Sequence, residues 1–162
     1  MGLEESLVGY RTYLDSNVFI YALKGAEPFG TPLRNLFKMM DDARIESISS
    51  ELVLAEVLVG PFRNRNLEEE RQCRRFLRPR RGLKLCSVSS EILEQSARLR
   101  AQHSRLRTPD AIHLATAELT RCEIFLTNDL KLASLGSIEV IPLSSLLSPP
   151  LGPAPDPLPP AR

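Results

Sequence analysis

Histidine is nearly missing from this chain: His103 and His113 are the only two in 162 residues. Neither sits where a serine or cysteine nucleophile would need a base, so Ser-His-Asp and Cys-His chemistry has little to build on. Cysteine is scarce as well. Cys73, Cys86 and Cys122 are odd in number, far apart and form no CxxC pair. That leaves no zinc constellation and reads as the usage of a reduced, cytoplasmic protein. No apolar run approaches the roughly 20 residues of a membrane span. Glu4 and Glu5 precede any apolar run, so the amino terminus is not read as a signal peptide. Net charge is only +1, so no global field advertises a polyanion binder, although a local basic surface stays open. Four lysines stand against seventeen arginines. Arginine suits bidentate phosphate contacts, but a GC-rich genome would produce the same bias.

What is present is an ordinary globular balance, 43% hydrophobic and 25% charged, in a length that favours one domain with a real core. Residues 12–15 read as a strand with Tyr13 and Leu14 as core candidates. A helix follows with Ser16 or Asn17 as its cap and Gly25 as its end. Thr31 is expected to cap a second helix, with Pro32 in its first turn. Residues 44–48 form a short strand, and Glu51–Val59 a helix stopped by Gly60-Pro61. Leu67–Leu77 is helical, and 83–88 is a strand. Ser89 or Ser90 opens a long helix to about His103, and Thr108-Pro109-Asp110 opens another to about Leu119. Strand 123–127, a short helix from Asp129 to Leu135 and strand 138–141 complete the pattern. Such alternation predicts an α/β/α sandwich around a mostly parallel sheet. From Pro149 to Pro160 seven of twelve residues are proline, which reads as a disordered or polyproline-like tail.

Four acids occupy comparable places in this pattern. Asp15 and Asp129 each follow a strand, at the edge of the sheet where α/β proteins gather ligands. Either could instead be a turn or cap residue. Glu56 has Leu52, Val53, Val59 and Gly60 as helical neighbours, so its carboxylate projects from an apolar face. That is costly for a charge unless it is paired or metal-bound, an arginine partner being the plainer alternative. Asp110 lies in a first helical turn, which the helix dipole alone would favour. Taken together, Asp15, Glu56, Asp110 and Asp129 form an oxygen-rich set suited to Mg²⁺ or Mn²⁺. Such ions stabilise charge on a phosphate and acidify water. His113, one turn after Asp110, reads as a packing or supporting residue and not as a base.

Four segments, in this order and separation, carry a resemblance: YLDSNVFIYAL at 13–23, SSELVLAEVLVGP at 49–61, TPDAIHLATAEL at 108–119 and FLTNDLKL at 125–132. Together they make the chain resemble a PIN domain, and within that family a VapC-type toxin ribonuclease, over nearly all of residues 12–141. The resemblance implies a three-layer α/β/α fold with a central parallel sheet. It also implies a metal-dependent endoribonuclease with one or two Mg²⁺ or Mn²⁺ ions, leaving 5′-phosphate and 3′-hydroxyl ends. The family's acidic quartet falls on Asp15, Glu56, Asp110 and Asp129, with Thr127 and Asn17 as polar supports. A homodimer and a cognate antitoxin covering the acidic groove are implied too. The domain would span 12–147, between an extension at 1–11 and the tail at 148–162.

The segment from Arg63 to Arg81 holds eight arginines against three glutamates. Arg63, Arg65, Arg74 and Arg78 are candidates for RNA phosphate contacts. The plainer reading is a solvated helix with Glu-to-Arg pairs such as Glu70 with Arg74. Two other functions compete with the nuclease. A PIN-fold module could bind RNA or protein without cutting. A haloacid-dehalogenase-like phosphatase would want a second aspartate two residues after Asp15, where Asn17 stands.

Overall fold

The structure, a computed structural model, describes residues 3–134 and 138–147. Five strands form one sheet: β1 (Arg11–Leu14), β2 (Glu46–Ser50), β3 (Leu83–Cys86), β4 (Ile124–Thr127) and β5 (Glu139–Pro142). Their order is β3-β2-β1-β4-β5, and all four pairings are parallel. The expected parallel sheet is therefore present. β1 is central, and successive crossovers leave it first toward β2 and later toward β4. The chain reverses direction across the sheet at that point, which opens a crevice beyond the carboxyl ends of β1 and β4.

Alternation along the strands divides the core into two layers. Leu14, Ile124 and Leu126 join one buried cluster, with Val18 and Phe19 from the helix after β1 and Leu36 and Phe37 from the next. Tyr13, Ile48 and Phe125 point into the other, with Ile92, Leu99, Ala111 and Leu114. A short helix, α1 (Leu3–Ser6), precedes β1, and Leu7 behind it is fully buried in the first cluster. The core thus reaches back into the segment expected to be an extension. The first layer carries α2 (Ser16–Lys24), α3 (Gly30–Asp41), α4 (Leu52–Val57), α5 (Val59–Asn64) and α6 (Leu67–Phe76). The second carries α7 (Ser90–Gln102) and α8 (Thr108–Leu119), which pack on each other.

Several boundaries differ from expectation for local physical reasons. Asp15, not Ser16 or Asn17, caps α2, accepting from the Ser16 backbone N–H. Gly25 ends that helix as expected, at φ 60°, a conformation that glycine adopts without a Cβ clash. Pro32 lies in the first turn of α3 as expected, but Thr31 lies inside that turn too and no side chain caps the helix. The missing N–H of proline costs nothing there. Gly60-Pro61 does not stop a helix either. The chain breaks at Leu58, and both residues start α5, again where a proline needs no donor. The short helix expected from Asp129 is a 3₁₀ turn over Leu130–Ser134, and another follows β5 at Leu143–Leu147. The proline-rich tail lies outside the described residues.

Candidate active site

Asp15 is the residue at which the strand period gives way to the helix. Its backbone N–H still bonds the Leu126 carbonyl across the sheet at 3.1 Å, while its side chain begins α2. Asp15 is only 9% exposed, and three donors hold its carboxylate. Oδ1 accepts from the Ser16 N–H at 2.7 Å. Oδ2 accepts from the Thr127 hydroxyl at 2.6 Å and from Asn17 Nδ2 at 2.9 Å. Asn17 Nδ2 also lies 3.2 Å from Thr127 Oγ1, and Asn17 Oδ1 accepts from the Asn128 N–H at 3.0 Å. Both residues expected to support the site therefore touch Asp15, and Asn17 ties the ends of β1 and β4 together. Charge-assisted bonds of this length fix the carboxylate's direction.

Glu56 comes from α4 and reaches across to α8. Its Oε2 accepts from His113 Nε2 at 2.8 Å and from the Ser16 hydroxyl. Burial alone would push the Glu56 carboxyl up. The bonds from His113 and Ser16 outweigh it, so the group is held below the ordinary glutamate range. His113 is buried, and its Nδ1 stands 2.7 Å from the Tyr13 hydroxyl. Burial, with Asp15 second, raises Tyr13 well above an ordinary tyrosine, so its hydroxyl stays protonated. The ionised Glu56 can only accept, so His113 Nε2 carries the hydrogen of that bond, and Nδ1 is the ring nitrogen that faces the Tyr13 hydroxyl. The ring touches both Tyr13 and Glu56, and that polar chain was not legible in sequence. Tyr13 read as core and Ser16 as a cap. The only available signals were the spacing of His113 from Asp110 and the adjacency of Ser16 to Asp15.

Asp110 lies in the first turn of α8. Its carboxyl is raised first by burial, then by the charges of Asp15 and Asp129, with Glu56 adding to them and His113 opposing. All four acids thus act on one electrostatic site. Asp129 follows β4, where its N–H bonds Thr127 Oγ1 at 3.0 Å and its Oδ1 accepts from the Lys131 N–H at 3.0 Å. Glu56, Asp110 and Asp129 line one open groove of about 1040 Å³. Asp15 does not line it.

An oxygen-only set carrying this much uncompensated negative charge suits a hard divalent cation in kind. Among the described residues, however, no three His, Cys, Asp or Glu side chains converge closely enough to hold an ion directly. The bonds just described account for that. Asp15 is engaged by three donors and Glu56 is turned toward His113. Mg²⁺ is commonly held by one or two carboxylates and several waters, which asks for less convergence than an all-protein cage.

The arginine segment lies elsewhere. Arg74 pairs with Glu70 at 3.1 Å and its guanidinium stands 5.7 Å from the centre of the Phe62 ring. Arg71 and Arg75 both reach Glu68. Arg63 and Arg65 are exposed at the end of α5, and Arg78 is exposed beyond α6. None of these residues lines the acidic groove.

Residues 12–137 match the family model of the PIN domain. No curated protein matches the sequence. Among solved structures, a toxin-antitoxin complex from Klebsiella pneumoniae is similar at 27% identity and a TM-score of 0.60, covering 80% of this chain and 95% of that one. VapBC2 from Rickettsia felis, bound to a DNA fragment from its promoter, is similar at 17% identity and a TM-score of 0.66, covering 82% and 98%. VapC20 from Mycobacterium tuberculosis, a toxin that cleaves the sarcin-ricin loop, is similar at 13% identity and a TM-score of 0.61, covering 79% and 98%.

Proposed function

This chain belongs to the PIN domain family, and on that footing we propose that it is a metal-dependent endoribonuclease, the toxin of a VapBC-type pair. The observation that carries the reading is the gathering of four acids: Glu56, Asp110 and Asp129 line one groove, and Thr127 Oγ1 joins Asp15 to the Asp129 backbone. Mg²⁺ or Mn²⁺, held by Asp15, Asp110 and Asp129 with Glu56, would supply charge stabilisation at the phosphate and a more acidic water. The chain's own residues do the rest. Asn17, Thr127 and the Ser16 N–H orient Asp15. Glu56 is ionised at neutral pH, and its bonds to His113 and Ser16 both use Oε2. Its Oε1 is left to accept a proton from the attacking water. That water adds to phosphorus, the bond to the 3′ oxygen breaks and that oxygen takes a proton from solvent, so the ends left are a 5′-phosphate and a 3′-hydroxyl.

The Klebsiella pneumoniae relative is a toxin-antitoxin complex, which supports an antitoxin as the partner here. An acidic groove is a natural seat for an antitoxin arginine or lysine. A homodimer in the cytoplasm completes the proposal. Among the described residues no helix is long and apolar enough to cross a membrane.

Cleavage of RNA with Mg²⁺, and its loss with EDTA, is the expected result. Asp15→Asn and Asp110→Asn are each expected to abolish it while leaving the fold intact. A folded variant that cuts at the wild-type rate would overturn the assignment. RNA bound but never cut would point to a binding module. Turnover of phosphomonoesters alone would point to the phosphatase, a reading already weakened because Asn17 donates to Asp15 where that chemistry wants an acid.

A further inference from the structure

We propose that Arg105, Arg107 and Lys131 form a phosphate-binding wall in the acidic groove and hold the RNA backbone beside the bond to be cut. The proposal rests on the nuclease reading for its substrate class. Its observations are separate from those that support the acids.

The three cations line the same cavity as Glu56, Asp110 and Asp129. They come from two segments that also place acids: Arg107 is three residues before Asp110, and Lys131 is two after Asp129. Arg105 and Arg107 flank Leu106, which is buried in the second core cluster. Two further contacts secure that turn. The Leu106 N–H bonds the His103 carbonyl at 2.9 Å, and Arg100 Nε reaches the Leu106 carbonyl at 3.4 Å. Arg105 and Arg107 therefore project from a fixed backbone. Both side chains are exposed, as is Lys131, and none of the three makes an ion pair among the described residues. The α6 arginines differ. Arg71, Arg74 and Arg75 are each matched to a glutamate of their own helix, and no acid lines the smaller cavity they share with Arg78.

The pattern of charge selects the ligand. A polyanion needs cations beside the acidic site to offset repulsion from the carboxylates. The acids can still take a single basic side chain, whereas a run of phosphates is what three cations in a row favour. Among the described residues no Phe, Tyr or Trp lines the groove and His103 is its one aromatic ring, so it offers little platform for stacking bases. The grip is on phosphates, which positions the strand without reading its sequence.

Binding of a mixed-sequence single-stranded RNA 20-mer, measured in EDTA over a range of salt concentrations, tests this directly. Arg105→Gln, Arg107→Gln and Lys131→Gln are each expected to weaken binding and to lower the magnitude of the log–log salt slope by about 0.7. The triple variant is expected to lower it by about 2. Arg71→Gln, as control, is expected to leave the slope unchanged. Thermal unfolding of each variant confirms that these exposed changes leave the fold intact. An unchanged slope in the triple variant, or no RNA binding by the wild type, overturns the wall. So does a loss confined to an oligoglutamate peptide, which would mark a seat for an acidic protein segment. Cleavage is read separately with Mg²⁺. Variants that bind less RNA in a protein that never cuts would leave the wall standing and sink the nuclease. Wild-type cutting with unmoved binding would do the reverse.

Discussion

Tyr13→Phe isolates one bond of the site from everything around it. The Tyr13 ring is fully buried, stacked on Phe125 with centroids 4.9 Å apart and edge-on to His113 at 5.9 Å. Phenylalanine keeps both contacts, so the cavity left is one oxygen. What goes is the 2.7 Å bond to His113 Nδ1, leaving a buried acceptor without its donor. That costs about 1–3 kcal/mol. With a urea m-value near 2 kcal/mol/M, the midpoint should fall by roughly 0.5–1.5 M at constant m. The functional consequence lies on the far side of the ring. The ionised Glu56 still holds the hydrogen on Nε2, but the ring loses the contact that fixes its other nitrogen. Nε2 is then aimed less firmly at Glu56, and the 2.8 Å bond weakens. Cleavage should therefore fall although Tyr13 does not line the groove. A double-mutant cycle with Glu56→Gln should show a coupling of about 0.5–3 kcal/mol in stability. An unmoved midpoint, or additivity within about 0.5 kcal/mol, would refute the chain from Tyr13 to Glu56.

Asp110→Asn should stabilise the metal-free protein at neutral pH while abolishing cleavage. The folded state raises this carboxyl, first through burial and then through Asp15 and Asp129. Between the unfolded value near 4 and the raised folded one, the folded state binds more protons. The group's destabilising share is thus complete above the folded pKa and vanishes as pH falls below about 4. Thermal melts of variant and wild type in EDTA should converge over that window, and a constant difference would contradict it. Gly82→Ala should cost at least 1–3 kcal/mol by overpacking. A Cβ there would stand 2.4 Å from the Met40 carbonyl oxygen and 2.5 Å from that of Ile45, both backbone atoms with little room to move. A melt within a degree of wild type would show that the loop before β3 can yield.

The sheet was legible because its signals are local. Short apolar runs separated by helical spacing mark parallel strands, and the five observed strands overlap the five expected ones. Boundaries went wrong where one residue type serves two purposes. Proline at 61 reads as a stop or a start depending on which side of it the helix lies, and here it lies inside a first turn. Aspartate at 15 is both cap and site residue. The arginine run drew attention by number alone, while Arg105, Arg107 and Lys131 are too dispersed to register as a cluster.

Sequence by itself determined the alternating α/β order, the placing of Asp15 and Asp129 after strands, and the family, because each depends on neighbours along the chain. Tertiary structure decided what those residues meet. The order β3-β2-β1-β4-β5 sets the ends of β1 and β4 side by side. Only that adjacency lets Thr127 donate to Asp15 across 112 positions. Only the packing of α8 brings His113 between Tyr13 and Glu56. Hydrogen bonds and charge coupling act through space over a few ångströms, and distance along the chain carries no record of them.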